Sequence, residues 1–209
     1  MGRDAITSSP GVQGSGAAVD TYEHVELREQ FASVLDAART GADWALVSLY
    51  QGLHPAVLGY LRSREPADAE DLASETWIGV AEGLTRFSGG EDDFRRWVFT
   101  IARRRLVDHR RRVIRRSTAP ASTEVIEAAL PPGDTETEAM TELDTEAALS
   151  LIGTLPPDQA EVVLLRVLGG FDAAEVAAIM GKRPGTVRVL QHRALTRLAA
   201  LLSREAVTQ

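Results

Sequence analysis

The stretch FRRWVFTIARRRLVDHRRRVIRR, residues 94–116, decides how the rest of the chain is interpreted. Its apolar residues Phe94, Trp97, Val98 and Ile101 recur at the spacing of one helix face, and neither Gly nor Pro interrupts the run. It also carries ten arginines and only one acid. The pattern predicts a helix with one buried side and a dense field of guanidinium groups over the rest of its surface.

Arginine suits phosphate because its planar guanidinium can donate two hydrogen bonds at once. The run therefore favours nucleic acid as a ligand, and the alternative is a solvated basic face balanced by acids elsewhere. The net charge of -7 argues against nucleic acid until its distribution is considered. Residues 22–116 hold fifteen bases and fifteen acids, residues 117–146 eight acids and no base, and residues 147–209 seven bases and five acids. The blocks on either side of the acidic segment can each present a basic face.

Composition excludes several classes of protein. The chain is 44% apolar with little strand-type alternation, which predicts an all-α globular protein. It has no cysteine, so disulfides and thiolate metal sites are excluded, and no apolar run is long enough to span a bilayer. Without a signal-peptide pattern we expect a cytoplasmic protein. The four histidines lack ligand spacing and there is no phosphate-binding Gly loop, so we predict no metal, no cofactor and no enzyme.

The amino-acid composition changes along the chain in a way that predicts two small helical domains. Residues 1–21 are rich in Gly, Ser and Ala and are expected to be a disordered leader. Residues 22–116 form the first domain. Residues 117–139, dominated by Ser, Thr, Pro, Ala and Glu, predict a flexible acidic linker. Residues 140–209 form the second domain, whose first helix is expected to end near Gly153.

Three helices are predicted before the arginine-rich one. The first covers about Tyr22 to Ala38. The second begins near Asp43 and extends to about Arg62, with Pro55 expected to kink it or end its first half. The third covers roughly Ala67 to Thr85. A turn of composition Ser-Gly-Gly then precedes the arginine helix.

The second domain carries the pattern of a helix-turn-helix. Asp172 and Glu175 have capping-box spacing ahead of a short helix. A turn follows at residues 181–183, and Pro184 suits the first position of the last helix. That helix would enter the major groove of DNA, with an ordinary helical hairpin as the alternative. Its expected buried residues are Val187, Leu190, Ala194, Leu198 and Leu201.

The outer face of the last helix offers groups that suit DNA. Arg188 and Arg193 are candidates for guanine, which arginine binds at O6 and N7. Gly185 and Thr186, near the helix N-terminus, suit a phosphate. The full predicted DNA-binding set is Gly185, Thr186, Arg188, Val189, His192, Arg193 and Arg197.

Taken together, these features resemble a bacterial sigma factor of the extracytoplasmic-function type. The resemblance rests on three motifs in the expected order. DLASETW at residues 71–77 is similar to the core-polymerase-binding motif. The segments from Phe87 to Trp97 and at residues 101–103 are similar to the loop and helix that read and melt the minus-ten element. LP at 155–156, AAIMG at 177–181 and GTVR at 185–188, with HRA at 192–194, resemble the domain that reads the minus-thirty-five element.

The resemblance implies a region 2 bundle, a region 4 helix-turn-helix and a role for each set of residues. Polymerase contacts fall on Asp71, Leu72, Ser74, Glu75 and Trp77. Minus-ten contacts fall on Phe87, Phe99, Arg95, Arg96, Arg103, Arg104, His109 and Arg110. Trp97 is expected to be a core residue. The loop from Phe87 to Asp93 would receive an everted non-template base, because base–aromatic stacking can offset the cost of unstacking.

The implied partners are core RNA polymerase, through the clamp coiled-coil and flap of its large subunits, and promoter DNA, both duplex and single-stranded. An anti-sigma factor is a further candidate partner, and no membrane is expected. One departure from the family pattern is Ser74, where Gln is common. The alternative function is a stand-alone helix-turn-helix repressor or activator with an N-terminal dimerisation domain.

Overall fold

The structure, a computed structural model, describes residues 30–117 and 147–208, and within that part it is helical without strands. The predicted leader and all but the first residue of the predicted linker lie outside the described residues, as does the predicted helix start near Tyr22. The helices are α1 (30–39), α2 (Asp43–Arg62), α3 (Ala69–Leu84), α4 (Glu91–Ser117), α5 (147–153), α6 (Pro157–Val167), α7 (Ala173–Met180) and α8 (Pro184–Thr208). No helix in these ranges is long and apolar enough to cross a membrane.

The first body, residues 30–117, packs α2, α3 and α4 against one another. The apolar line of α4 provides its centre, and Phe94, Val98 and Leu106 are at most 1% exposed. Phe94 contacts Phe31 of α1 and Phe87 of the preceding loop. The Arg39 side chain of α1 donates a hydrogen bond to the carbonyl of Phe87, so α1 also holds the loop before α4 in place.

Pro55 was expected to kink α2 or to end its first half, and the second of these expectations is wrong. The helix runs unbroken from Asp43 to Arg62. The carbonyl of Gln51, which Pro55 leaves without its helical donor, belongs to an exposed residue and can bind water. The third helix begins later than predicted because Pro66–Asp68 form a separate turn of 3-10 helix.

The second body, residues 147–208, contains the predicted helix-turn-helix. The Asp172 side chain accepts hydrogen bonds from the backbone N–H groups of Ala174 and Glu175, and the Glu175 side chain accepts one from the backbone of Asp172. Gly181 closes α7 in the left-handed region at φ 65°, a conformation that favours glycine. Pro184 is the first residue of α8.

The two bodies pack directly on each other. Helix α4 contacts α7, and the ring of Phe99 meets the ring of Phe171 in the loop before α7. The prediction of a single buried side on α4 is therefore wrong: a second side, carrying Phe99 and Arg103, is covered by the second body.

Candidate nucleic-acid interface

The outer face of α8 is open to solvent between residues 185 and 197. All seven residues predicted to bind the minus-thirty-five element are exposed: Gly185, Thr186, Arg188, Val189, His192, Arg193 and Arg197. Val187 and Ala194, both 0% exposed, fix the opposite face against α6 and α7. Leu190, Leu198 and Leu201 are half-buried. Three exposed arginines, Arg188, Arg193 and Arg197, are distributed around the part of α8 that does not pack against α6 and α7.

The loop before α4 forms one wall of a cleft. Phe87 stacks on Trp97 with ring centroids 4.9 Å apart and an interplanar angle of 24°. A cavity of about 390 Å³ opens beside these rings, with Arg96 and Asp93 on one side and Ala178 and Ile179 of α7 on the other. Trp97, expected in the core, packs against it while staying half-buried at this opening.

Gly83 of α3 allows this position of the indole. A Cβ atom at Gly83 would lie 2.6 Å from Cζ2 of Trp97, closer than real contacts allow. Because Gly83 has no side chain, the indole of Trp97 can pack against α3 at this point and also contact Phe87.

Several arginines of α4 are paired with acids of the same chain. Arg95 binds Glu91 of its own first turn at 3.0 Å. Arg96 binds Asp93 and approaches Glu175 of α7 at 3.6 Å. Arg112 lies 3.7 Å from Glu75, while Arg104 is exposed. Several guanidinium groups of α4 are thus neutralised by acids of the same chain. This is what the alternative interpretation, a basic face balanced by acids elsewhere in the fold, predicted.

His109 and Arg110 belong to a network at the start of α3. Arg110 donates to the Glu65 carboxylate, and to the carbonyl of Arg64 at 2.8 Å. His109 Nε2 lies 3.3 Å from Asp68 Oδ2. Glu65, Asp68 and His109 place three potential metal ligands within 4.8 Å, which the linear spacing of the histidines did not predict. The Arg110 guanidinium already pairs with the Glu65 carboxylate, so ion pairing explains why these three side chains lie close together. Burial lowers the pKa of Arg64, with a further contribution from nearby Arg110.

Phe99 and Arg103 lie under the second body. Phe99 is 0% exposed, between Tyr60 and Phe171, so its ring cannot contact a base in this arrangement. The Arg103 Nε donates to Glu161 Oε1 at 2.7 Å, and the Tyr60 hydroxyl donates to the same oxygen at 3.1 Å. Burial raises the pKa of Tyr60 well above its ordinary value, and the Glu161 carboxylate adds to that shift.

The residues predicted for polymerase contact lie along α3. Asp71 and Ser74 are exposed, and Glu75 is partly exposed beside Arg112. Trp77 is half-buried against Tyr50 of α2, with ring centroids 5.0 Å apart. Leu72 is 2% exposed, so it supports this surface from within and is not available for direct contact.

Sequence reasoning missed Glu161, Tyr60 and Phe171. A signal for Glu161 did exist, because it precedes Leu165 by four positions and Leu168 by seven and so places an acid on the apolar face of α6. No comparable signal marked Tyr60, whose role depends on contacts between distant parts of the chain.

Comparison with known protein families gives two matches. The model described as Sigma-70 region 2 matches residues 49–116, and the model described as Sigma-70, region 4 matches residues 145–198. These ranges contain the arginine helix and the helix-turn-helix, in that order.

Whole-chain relatives agree. The chain is 37% identical to the ECF RNA polymerase sigma factor ShbA of Streptomyces griseus subsp. griseus, over 84% of this chain and 98% of the relative. It is 33% identical to the ECF RNA polymerase sigma factor BldN of Streptomyces coelicolor, over 83% of this chain and 66% of the relative. The sigma factor RpoE of Bartonella quintana, solved with the anti-sigma factor NepR, superposes with a TM-score of 0.61 at 25% identity, over 75% of this chain and 95% of that one. Both sigma regions occur in order in this helical chain, and the similarity to ShbA covers 98% of that relative. The chain therefore belongs to the extracytoplasmic-function family of RNA polymerase sigma factors, which are proteins of transcription initiation.

Proposed function

We propose that this sigma factor binds core RNA polymerase and directs it to a specific set of promoters, reading the minus-thirty-five element with α8 and the minus-ten element with α4 and its preceding loop. The observation that carries the proposal is the exposed surface of α8, which carries three arginines and follows a short helix with a capping box and a glycine-closed turn. Arginine reads guanine in the major groove by two parallel hydrogen bonds.

The minus-ten function rests on the cleft at Phe87 and Trp97. An aromatic floor with a guanidinium beside it suits a base removed from its stack, because stacking supplies about 1–3 kcal/mol per base. Arg104, exposed on α4, can contact the phosphates of the same strand. Melting then needs no catalysis by this chain, since preferential binding of the open strand drives it.

The polymerase contact is assigned to the exposed acidic start of α3, at Asp71 and Glu75, with Ser74 and Trp77 beside them. An acidic surface repels DNA and suits a basic coiled-coil of a protein partner. We place the protein in the cytoplasm, where polymerase acts. A cognate anti-sigma factor is a further proposed partner, supported by the similarity to RpoE, which was solved in complex with NepR.

The deciding experiment combines pull-down of core polymerase with run-off transcription on genomic DNA and sequencing of the start sites. We expect stable association and new start sites that share two spaced sequence elements. Unchanged transcription at every promoter would refute the proposal. Tight binding to a palindrome without polymerase would instead favour a stand-alone regulator.

A further inference from the structure

The outermost line of α8 is not formed by its arginines. Val187 and Ala194, both 0% exposed, define the direction in which the helix is buried. At about 100° per residue, four exposed residues point the opposite way, and we call them the outer line: Gly185, Val189, His192 and Thr196. Arg188 and Arg193 project to opposite flanks of this line.

The outer line is the part of α8 that would face base edges if the helix lay in the major groove, because the flanks then face the walls of the groove. Gly185 offers no side chain, and the Thr196 hydroxyl already donates to the carbonyl of His192 at 2.9 Å. Val189 is 49% exposed and is the only wholly apolar side chain of the four. The line therefore offers the groove an apolar contact at Val189 and a polar ring at His192.

The fold itself gives no reason for valine at position 189. A β-branched residue loses rotamer freedom in a helix, so arginine or alanine would favour the helix more. The side chain is half in solvent and contributes little to the core. Single exposed apolar residues are common on protein surfaces, so exposure alone decides nothing. What distinguishes Val189 is its place on the outer line of the second helix of a helix-turn-helix.

Gly185 leaves the approach to Val189 uncovered. Helical side chains lean toward the N-terminus, so Val189 covers the turn that contains Gly185, four positions earlier. A Cβ atom on Gly185 would lie in open space, so packing within the described residues does not require glycine there. The missing side chain lets a duplex come close to the backbone of α8 beside the methyl groups of Val189.

We propose that Val189 recognises the 5-methyl group of a thymine in the minus-thirty-five element, and that Gly185 provides the close approach this contact needs. The proposal rests on the proposed function of α8 and names one base that the helix reads. Thymine alone among the four bases carries an apolar group on its major-groove edge. Arg188 and Arg193, on the flanks, suit guanine or phosphate, so they would read other positions of the element.

Deoxyuridine tests this contact one group at a time, because it pairs with adenine as thymine does and lacks only the methyl group. The full chain first selects duplexes from a library with a randomised segment, at low salt, where binding without polymerase is strongest. Each thymine of the selected duplex is then replaced singly by deoxyuridine. Fluorescence anisotropy gives the affinities of wild type, Val189→Ala and the control Val167→Ala, which makes the same change at an exposed position of α6.

For wild type and Val167→Ala, one replacement should weaken binding about fourfold, the effect expected of one methyl group removed from water. Val189→Ala should lose most of this difference between the thymine and deoxyuridine duplexes. An undiminished difference in Val189→Ala, or a selected duplex in which no thymine methyl group matters, would overturn the proposal. Failure of the selection to enrich any sequence would also overturn it.

The variant Gly185→Ala tests the close approach separately. Alanine favours a helix more than glycine does, so this variant should not lower the melting temperature, yet its added methyl group should weaken binding to the selected duplex. Gly52→Ala makes the same change at an exposed position of α2 where a Cβ atom also lies in open space, and it should leave binding unchanged. Equal binding by the two variants would refute the role of Gly185.

Transcription with core polymerase separates the failure of this proposal from the failure of the proposed function. If the thymine contact depends on Val189 but the holoenzyme initiates at no promoter, the proposed function fails and base recognition by α8 stands. If the holoenzyme initiates and no thymine methyl group affects binding, only the role of Val189 fails.

Discussion

The rings of Phe99 and Phe171 lie nearly perpendicular, at 83°, with centroids 5.2 Å apart. Edge-to-face aromatic pairs of this kind add stabilisation beyond the area they bury. Phe99 also meets Tyr60 at 5.8 Å, so three aromatic rings from three parts of the chain form one contact. This contact is the apolar neighbour of the hydrogen bonds that Arg103 and Tyr60 donate to Glu161.

Phe171→Ala should lower the free energy of unfolding by about 3 kcal/mol, because it removes a buried ring and leaves a cavity. Urea denaturation followed by circular dichroism measures the loss. Val167→Ala, on the exposed side of the same helix–loop unit, should change stability by less than about 0.5 kcal/mol. Equal losses for the two variants would show that the Phe171 ring is not an anchor.

The Asp172 cap should make the stability of the helix-turn-helix depend on pH. Hydrogen bonds from the backbone N–H groups of Glu175 and Ala174 lower the pKa of Asp172 below its ordinary value of 3.8. A carboxyl with a lowered folded-state pKa contributes stability above the unfolded value and loses it as pH falls through the folded one. Asp172→Ala should therefore lower the melting temperature at pH 7.

The difference in melting temperature between wild type and Asp172→Ala should shrink as the pH is lowered past 3.8 and through the folded pKa. Differential scanning fluorimetry over a pH series measures it. A difference that stays constant across the series would mean that the carboxylate does not cap α7 in its ionised form.

Local signals in the sequence predicted local structure well. Asp172, Glu175, Gly181 and Pro184 marked the limits of the helix-turn-helix because capping and left-handed turns depend on neighbouring residues alone. The expectation that Pro55 might end the first half of α2 is wrong, since the cost of a proline inside a helix depends on whether the carbonyl it leaves unbound faces water or the core.

The partners of the arginines were not predictable in the same way. Arg103 lies next to Glu161 only because two bodies far apart in sequence meet, and periodicity within one helix carries no information about that contact. Phe99 was assigned to DNA through the family resemblance, and the structure buries its ring between Tyr60 and Phe171. The roles of the predicted contact residues on α3, α4 and α8 remain predictions.

Arg188→Ala should remove base discrimination at one position of the minus-thirty-five element, at a cost of about 1–3 kcal/mol for the preferred base. Arg188→Lys keeps the charge but lacks the bidentate geometry, so it should retain more affinity while losing most of the preference. Holoenzyme binding to duplexes carrying each of the four bases at that position measures both. A preserved preference in Arg188→Ala would exclude base recognition by Arg188.

Salt should weaken promoter binding by the holoenzyme steeply. If about six arginines neutralise phosphates, log affinity against log salt should have a slope near -5. Arg104→Ala, which removes an exposed guanidinium of α4, should make the slope less negative by about 1. Arg62→Ala, on α2 and paired with Glu70, should leave it unchanged. A nearly flat slope for wild type would count against α4 as a DNA surface.

Glu175 serves both bodies with different atoms. Its Oε2 accepts the backbone N–H of Asp172 within α7, and its Oε1 faces Arg96 of α4. Separation of the two bodies would break only the second of these contacts, and the N-terminus of α7 would keep its own cap. The helix-turn-helix would therefore keep its internal order if its position relative to α4 changed.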